Sequence, residues 1–119
     1  MSVLDQYRIV LRYFSPRHAA MIAIAEEGVV LRLSIQDNEW KVIARKKADC
    51  PYDKWIAAKK EEFSNRPAWA QSIEELPSLK ELEHWFCDGV CPTPTGDEVE
   101  PDGTGSDGAP SWLRALHLI

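Results

Sequence analysis

Alternating apolar and polar residues run through the first part of the chain, up to residue 46, and predict β-strands. The segment "YRIVLRYF" (7–14) alternates between two faces and is rich in the β-branched and aromatic residues that strands favour. Two further runs, 29–35 and 40–46, are separated by the polar residues "QDNE" and predict a β-hairpin. The segment "AAMIAIA" (19–25) fits a strand or a helix, and its alternating isoleucines favour a strand.

The spacing of apolar residues changes to a helical period near residue 50. In "CPYDKWIAAKKEEFS" (50–64), one stripe of a helix carries the apolar side chains of Tyr52, Trp55, Ile56 and Phe63. The segment "SLKELEHWF" (78–86) predicts a second helix, which ends at Gly89. Two helices of this length are enough to cover a small sheet.

The second predicted helix carries a start signal and an apolar stripe. Ser78 and Glu81 match the capping box, in which the serine hydroxyl accepts a hydrogen bond from a backbone N–H of the first turn. The buried stripe is predicted to consist of Leu79, Leu82 and Phe86. We therefore expect this helix to pack on the sheet through those three side chains.

The order of the elements is strands first, helices next, and a Pro/Gly-rich segment last. This order predicts an α+β fold, with a small antiparallel β-meander followed by two or three helices packed on one face of the sheet. Residues 1–90 are predicted to form the α+β domain, and residues 91–119 a Pro/Gly-rich C-terminal extension. The extension ends in "PSWLRALHLI", an apolar helical turn with Ser111 as its N-cap, which we expect to dock as an anchor.

The motifs "VEPDG" and "PSWL" identify a resemblance over the last third of the chain. The segment "LEHWFCDGVCPTPTGDEVEPDGTGSDGAPSWLRALHLI" resembles, in register, the C-terminal segment of a family of small uncharacterised bacterial and mobile-element proteins. The family segment carries three Cys and one His with the close spacing of a structural zinc site. The resemblance implies that the ligand positions here are Cys91, Asp97, Gly105 and Asp107, of which only Cys91 is retained.

Metal and cofactor binding are therefore not predicted. The retained family ligand and two carboxylates make a poor zinc site, so the extension resembles one that has lost its metal. A second set, His84, Cys87 and Cys91 with Cys50, lacks the paired spacing of zinc sites. Cys87 is also accounted for as a small apolar residue and His84 as a surface residue.

Composition and motif content bear on the cellular compartment of the protein and on whether it is an enzyme. The chain has 119 residues, three Cys and five Trp, and 45% of its residues are hydrophobic. An odd number of cysteines, with no apolar leader or membrane-length segment, predicts a cytoplasmic protein that binds no membrane. No phosphate loop, nucleophile elbow or paired-histidine motif is present, so catalysis is not predicted.

The charge is divided between the two halves of the chain. The net charge is -5, with eleven Lys/Arg and seven Asp/Glu in residues 1–60, and three Lys/Arg and twelve Asp/Glu in residues 61–119. The acidic half offers a surface to a basic protein partner. An exposed tryptophan is a frequent binding anchor, although Trp69 fits a core position equally well. The predicted partner-binding residues are Trp69, Glu74, Glu75, Glu81 and Glu83.

The basic half suggests an alternative. A nucleic-acid-binding surface is predicted if the basic residues of the strands lie on a common outer face of the meander. The residues concerned are Arg8, Arg12, Arg32, Lys41 and Arg45. The simpler interpretation is that a solvated sheet face needs polar residues, and that Lys and Arg at edges discourage aggregation.

These patterns predict a small accessory protein that binds another protein and catalyses no reaction. Given the resemblance of its tail, we expect a phage or mobile-element protein that inhibits a host or defence complex. Its partner is then a host protein or protein complex, and nucleic acid is the alternative. A homodimer formed by exchange of the "PSWLRALHLI" segment between two chains is left open.

Overall fold

Four antiparallel strands form the centre of the protein. The structure is a computed structural model, and it describes residues 3–119. A turn of 3-10 helix (Val3–Gln6) precedes a meander whose strands lie side by side in chain order. The strands are β1 (Ile9–Ser15), β2 (Ala20–Ala25), β3 (Val29–Ser34) and β4 (Trp40–Arg45). The predicted strands and the hairpin are confirmed, and Asn38 (φ 52°) supplies the left-handed residue of the turn between β3 and β4.

Helices and a small hairpin follow the meander, which confirms the α+β class. The helices are α1 (Tyr52–Ser64), α2 (Ala68–Gln71), α3 (Leu79–Asp88) and α4 (Trp112–Ala115). Between α3 and α4, β5 (Cys91–Pro92) pairs with β6 (Glu98–Val99). The Pro/Gly-rich extension is thus folded as a hairpin, a series of turns and a short helix.

Helices cover both faces of the sheet, so the prediction that they pack on one face is wrong. Helix α1 packs on the face that contains Tyr13 and Ile22, through the predicted stripe around Ile56. Helices α2, α3 and α4 pack on the opposite face, around Phe14 and Met21. All six residues of β2 are buried, and a strand covered on both faces has the continuous apolar sequence seen in "AAMIAIA".

A β-bulge at Val10 changes the faces of β1. Ile9 lies opposite Ala25, whereas Leu11 lies opposite Ile24, so one residue of β1 is unpaired between them. As a result Ile9 packs with the cluster around Phe14, and Leu11 packs with the cluster on the α1 face. The strict alternation predicted for 7–14 is therefore wrong at this point, because the extra residue puts the side chains before it out of phase with those after it.

Helix α3 has the predicted ends but not the predicted buried stripe. The Ser78 hydroxyl accepts from the Glu81 N–H at 3.1 Å, and Gly89 (φ 75°) ends the helix in the left-handed region. Leu82 is buried, but Leu79 and Phe86 are 57% and 61% exposed. Trp85 packs against the core cluster instead, so one apolar side of α3 faces away from the sheet.

The C-terminal segment lies against the sheet face around Phe14. The Ser111 hydroxyl accepts from the Arg114 N–H and donates to the Pro101 carbonyl, which caps α4 and ties it to the preceding turns. Trp112 and Leu113 are buried, and the Trp112 ring meets the Phe14 ring edge-on at a centroid distance of 5.7 Å. The segment is therefore part of the core cluster of its own chain.

Candidate functional site

An apolar groove lies between α3 and the end of the chain. It has a volume of ≈ 290 Å³, and Leu82 forms part of its floor. The walls are lined by Leu79, Glu83, Phe86, Cys87, Leu113 and Leu118. Three of these apolar side chains, those of Leu79, Phe86 and Leu118, are more than 40% exposed. The exposed apolar side chains gathered around this cleft make it a candidate interaction site.

The two walls of the apolar groove are set by local backbone structure. In α3, Leu79, Leu82 and Phe86 follow helical spacing, and the inward direction of Leu82 leaves the other two beside it at the surface. At the end of α4, His117 adopts a left-handed conformation (φ 60°), and the Leu118 N–H donates to the Leu113 carbonyl at 2.8 Å. This helix-ending motif returns the chain toward α3 and places Leu118 at the groove.

An acidic groove adjoins the apolar groove at Leu79, which lines both. It has a volume of ≈ 460 Å³ and runs between the end of β3 and the segment before α3. Glu75, Glu81 and Arg12 line it, and a further depression shares Arg12 and Glu75 and adds Glu74. The structure therefore gathers Glu74, Glu75 and Glu81 on one surface and places Glu83 on the other side of Leu79.

Trp69 does not belong to this surface. Its ring lies 6.0 Å from the Phe14 ring and packs against the core cluster, where the side chain is half-buried. The partner-binding set predicted from the sequence is thus divided. Glu75 and Glu81 line the acidic groove, Glu83 lines the apolar groove and Glu74 lines the adjoining depression, whereas the tryptophan supports the sheet. The exposed aromatic residue of the site is Phe86, which the sequence analysis assigned to the core.

The four glutamates have no cationic partner within residues 3–119. The ion pairs found there involve other carboxylates, such as Glu26, Glu62 and Asp88. Arg12 is the cation in the acidic groove, but its guanidinium donates to the Glu74 carbonyl at 2.6 Å and lies 5.3 Å from the Trp40 ring centroid. Glu75 and Glu81 outnumber Arg12 in the acidic groove, so its lining keeps a net negative charge.

The predicted basic residues do not share one face, so the common basic surface is wrong as predicted. Arg12 lies opposite Ala23, whose side chain belongs to the cluster around Phe14. Arg32 lies opposite Ile22 and Lys41, on the α1 face. Neighbouring rungs of a sheet point to opposite faces, which separates Arg12 from the other two.

The remaining basic residues are partly neutralised or stand apart. Arg8 lies 3.9 Å from Glu26, and Lys41 lies 3.4 Å from Asp37. A hydrogen bond from Ser34, with Lys41 nearby, holds the pKa of Asp37 below its ordinary value, so this carboxylate stays charged beside Lys41. Arg45 lies opposite Val29 beyond a second register shift. The structure thus provides no continuous cationic stripe from the five predicted residues.

A close Ser–His pair lies at the turn between β1 and β2. The Ser15 hydroxyl and His18 Nδ1 are 2.9 Å apart, and the backbone N–H of His18 donates to the same hydroxyl at 3.4 Å. Ser15 is only 1% exposed. The contact stabilises the turn, as serine side chains commonly do.

The positions implied as zinc ligands perform other roles here. Cys91 is buried in the core cluster, and the Asp97 carboxylate accepts from both the N–H and the hydroxyl of Ser106 at 3.0 Å. Asp107 accepts from the Thr95 hydroxyl and the Ala109 N–H. Within the described part of the chain, no three His, Cys, Asp or Glu side chains are grouped to hold a metal. Hydrogen bonds thus connect the turns of the extension.

Acid is expected to loosen these turns through Asp107. Its bonds to Thr95, first, and Ala109 hold its pKa below the ordinary value of 3.8. A lowered folded-state pKa gives stability that is full above the unfolded value and disappears as the pH falls through the folded value. Asp107→Ala should therefore lower the thermal midpoint at neutral pH, and the difference from the unmodified protein should narrow as the pH falls below 3.8.

Asp102→Ala, which removes another exposed carboxylate of the extension, is the matched control. It should leave the neutral-pH midpoint nearly unchanged. A gap between Asp107→Ala and the unmodified protein that persists unchanged into acid would contradict the assignment to the charged carboxylate.

Comparison with known proteins adds no relative. No family model, no curated protein and no solved structure matches the chain significantly. Among the helices of residues 3–119, none is long and apolar enough to span a membrane.

Proposed function

We propose that this protein is a non-enzymatic accessory protein that binds another protein through the apolar groove between α3 and the C-terminal segment. The observation that carries the proposal is the exposure of Leu79, Phe86 and Leu118 around one cleft. Exposed leucines occur singly on most proteins, but here three exposed apolar side chains share one cleft floored by Leu82.

The chemistry of the groove favours binding over catalysis. Its lining is apolar apart from Glu83 and the Cys87 thiol, so it offers neither an acid–base pair nor a group of oxyanion donors. Aromatic side chains at the centre of a patch commonly carry most of the energy of a protein interface. Phe86 is the aromatic side chain of this groove, one heptad after Leu79 on α3.

The resemblance of the tail to mobile-element proteins supports a more specific form of the proposal. In that form the bound protein belongs to a host or defence complex, and occupation of one of its surfaces inhibits the complex. The acidic groove next to Leu79 suits this role, because negative carboxylates can compete for a basic surface that otherwise meets another ligand.

Replacing the exposed aromatic residue tests the proposal. Phe86→Ser should leave the folded protein intact, because the side chain is mostly solvent-exposed, and should reduce capture of its partner about tenfold or more. The measurement is a nuclease-treated pull-down of the tagged protein from a lysate of its host cells, with the captured protein identified and quantified by mass spectrometry.

Val10→Ser is the matched control, because Val10 is 41% exposed at the β1 bulge and lies outside the groove. Its capture should equal that of the unmodified protein. Equal loss in both variants, or no loss in Phe86→Ser, would remove the groove as the binding site. Capture that disappears on nuclease treatment would instead favour nucleic acid as the ligand.

A further inference from the structure

We infer that the segment bound in the apolar groove is an amphipathic helix of another protein, with an apolar seam flanked by Lys or Arg. The inference rests on the proposed function and adds the chemistry of the partner. Three features of the described residues lead to it: the length of the seam on α3, the charge beside it, and the poor fit of a second copy of this chain.

The apolar seam has the spacing at which helices pack together. Leu79, Leu82 and Phe86 stand at positions i, i+3 and i+7 of α3, the pattern by which one helix lines a groove for another. Seven residues of helix extend about 10 Å, which is two turns of a partner helix. Leu113 and Leu118 form the facing wall, so a partner side chain is held between two apolar surfaces.

The charge beside the seam selects the flanks of the partner. Glu83 lines the apolar groove itself, and Glu75 and Glu81 line the acidic groove beyond Leu79. None of these carboxylates is ion-paired within the part of the chain that the structure describes. Lysine or arginine on a bound helix would supply the missing cations, and would also speed association with this negative surface.

The same charge disfavours a second copy of the chain. Two α3 helices packed antiparallel about a two-fold axis would place the axis midway between Leu79 and Phe86, beside Glu83. The two Glu83 side chains would then face each other, and the two acidic halves of the chains would be brought together. Like charges at an interface oppose association, so a basic partner fits the groove better than a copy of this chain does.

Two designed helical peptides test the inference. Both carry the same Leu seam, and one has Lys flanks where the other has Glu flanks. Fluorescence anisotropy measures their binding to the full-length protein at low and high salt. The Lys peptide should bind about tenfold more tightly at low salt, and the preference should shrink as salt screens the charges.

Two variants locate the effect. Glu83→Lys should remove or reverse the preference for the Lys peptide, whereas Glu61→Lys, the same charge change on exposed α1, should preserve it. Phe86→Ser should weaken both peptides, because it removes apolar contact without regard to charge. This set of results would support both claims, that the groove binds the helix and that the bound helix carries basic flanks.

The possible outcomes distinguish the hypothesis of a basic helical partner from the hypothesis that the groove is a binding site. If the two peptides bind equally, if Phe86→Ser weakens the binding of both, and if Glu83→Lys changes the affinity of neither, the basic-helix inference is overturned. The groove remains a binding site in that case. A dimer in sedimentation that Phe86→Ser dissociates would overturn the basic-helix inference in favour of a second copy. Absence of peptide binding, together with a pull-down indifferent to Phe86→Ser, would overturn the proposed function as well.

Discussion

Replacing Trp112 with alanine is expected to cost about 3–5 kcal/mol of unfolding free energy, the range for removing a large aromatic side chain from a core. Trp112 is 7% exposed and meets Phe14, which is fully buried, at 5.7 Å between ring centroids. Domains of this size have total stabilities of about 5–15 kcal/mol, so the loss is a large fraction of the whole. The thermal midpoint should fall by about 10–20 °C in calorimetry.

Ile119→Ala is the comparison for this experiment. Ile119 lies in the same C-terminal segment but is 50% exposed, so its truncation should change stability by less than about 0.5 kcal/mol. If Trp112→Ala were as harmless as Ile119→Ala, the C-terminal segment would not be docked on the sheet. The apolar groove would then lose one of its walls, because Leu113 is the neighbour of Trp112.

Adding a single methyl group at Gly105 is expected to destabilise the extension by about 1–3 kcal/mol. A Cβ there would lie 2.6 Å from Asp97 Oδ2 and 3.2 Å from Thr93 Cγ2. The carboxylate cannot move aside without loss, because it accepts two hydrogen bonds from Ser106. Gly105→Ala should therefore shift the denaturant midpoint downward, as followed by tryptophan fluorescence.

A double-mutant cycle assigns the effect to that contact. In an Asp97→Ala background the clashing oxygen is absent, so Gly105→Ala should cost less than it does in the unmodified protein. Gly89→Ala, at the distant end of α3, places a residue with a Cβ at φ 75° and should cost the same in both backgrounds. Strict additivity of Gly105→Ala and Asp97→Ala would show that the two positions do not contact each other.

Much of the fold could be predicted because local patterns agree with the global structure. The alternating runs formed the four strands, the "QDNE" turn connected β3 to β4, and the Ser78 cap and Gly89 began and ended α3. Each of these features depends on residues a few positions apart in the sequence, so periodicity and turn chemistry were enough to locate them.

The faces of the sheet could not be predicted in the same way. The bulge at Val10 inserts one residue, and no local feature of "RIVLR" distinguishes it from a regular strand. Its effect is large, since every side chain before it changes face relative to simple alternation. The assumed common face of Arg12 and Arg32 failed for a related reason: face assignments across strands depend on register, which single-strand periodicity does not give.

The candidate site was predicted in part. Glu74, Glu75 and Glu81 do lie together, but the apolar spacing predicted Leu79 and Phe86 in the core, and Trp69 was among the predicted surface residues. The sequence carries no local signal for this, because Leu79, Leu82, Trp85 and Phe86 fall within about 120° of one another around α3 and form an ordinary apolar stripe. Which of them turn outward depends on the position of the C-terminal segment, and that is a tertiary contact.

The segments that cover the two faces of the sheet lie at different distances along the chain from the strands. This difference sets an order of folding. The side covered by α1 can be completed once residue 64 has been made, from contacts between near neighbours in sequence. The side around Phe14 is completed only by contact with Trp112, at the far end of the chain. Closing so long a loop is slow relative to pairing adjacent hairpins. During synthesis, the apolar surface of Phe14, Met21 and Leu31 therefore stays incompletely covered until the last segment arrives, and in that interval the nascent chain is most exposed to aggregation and most in need of a chaperone.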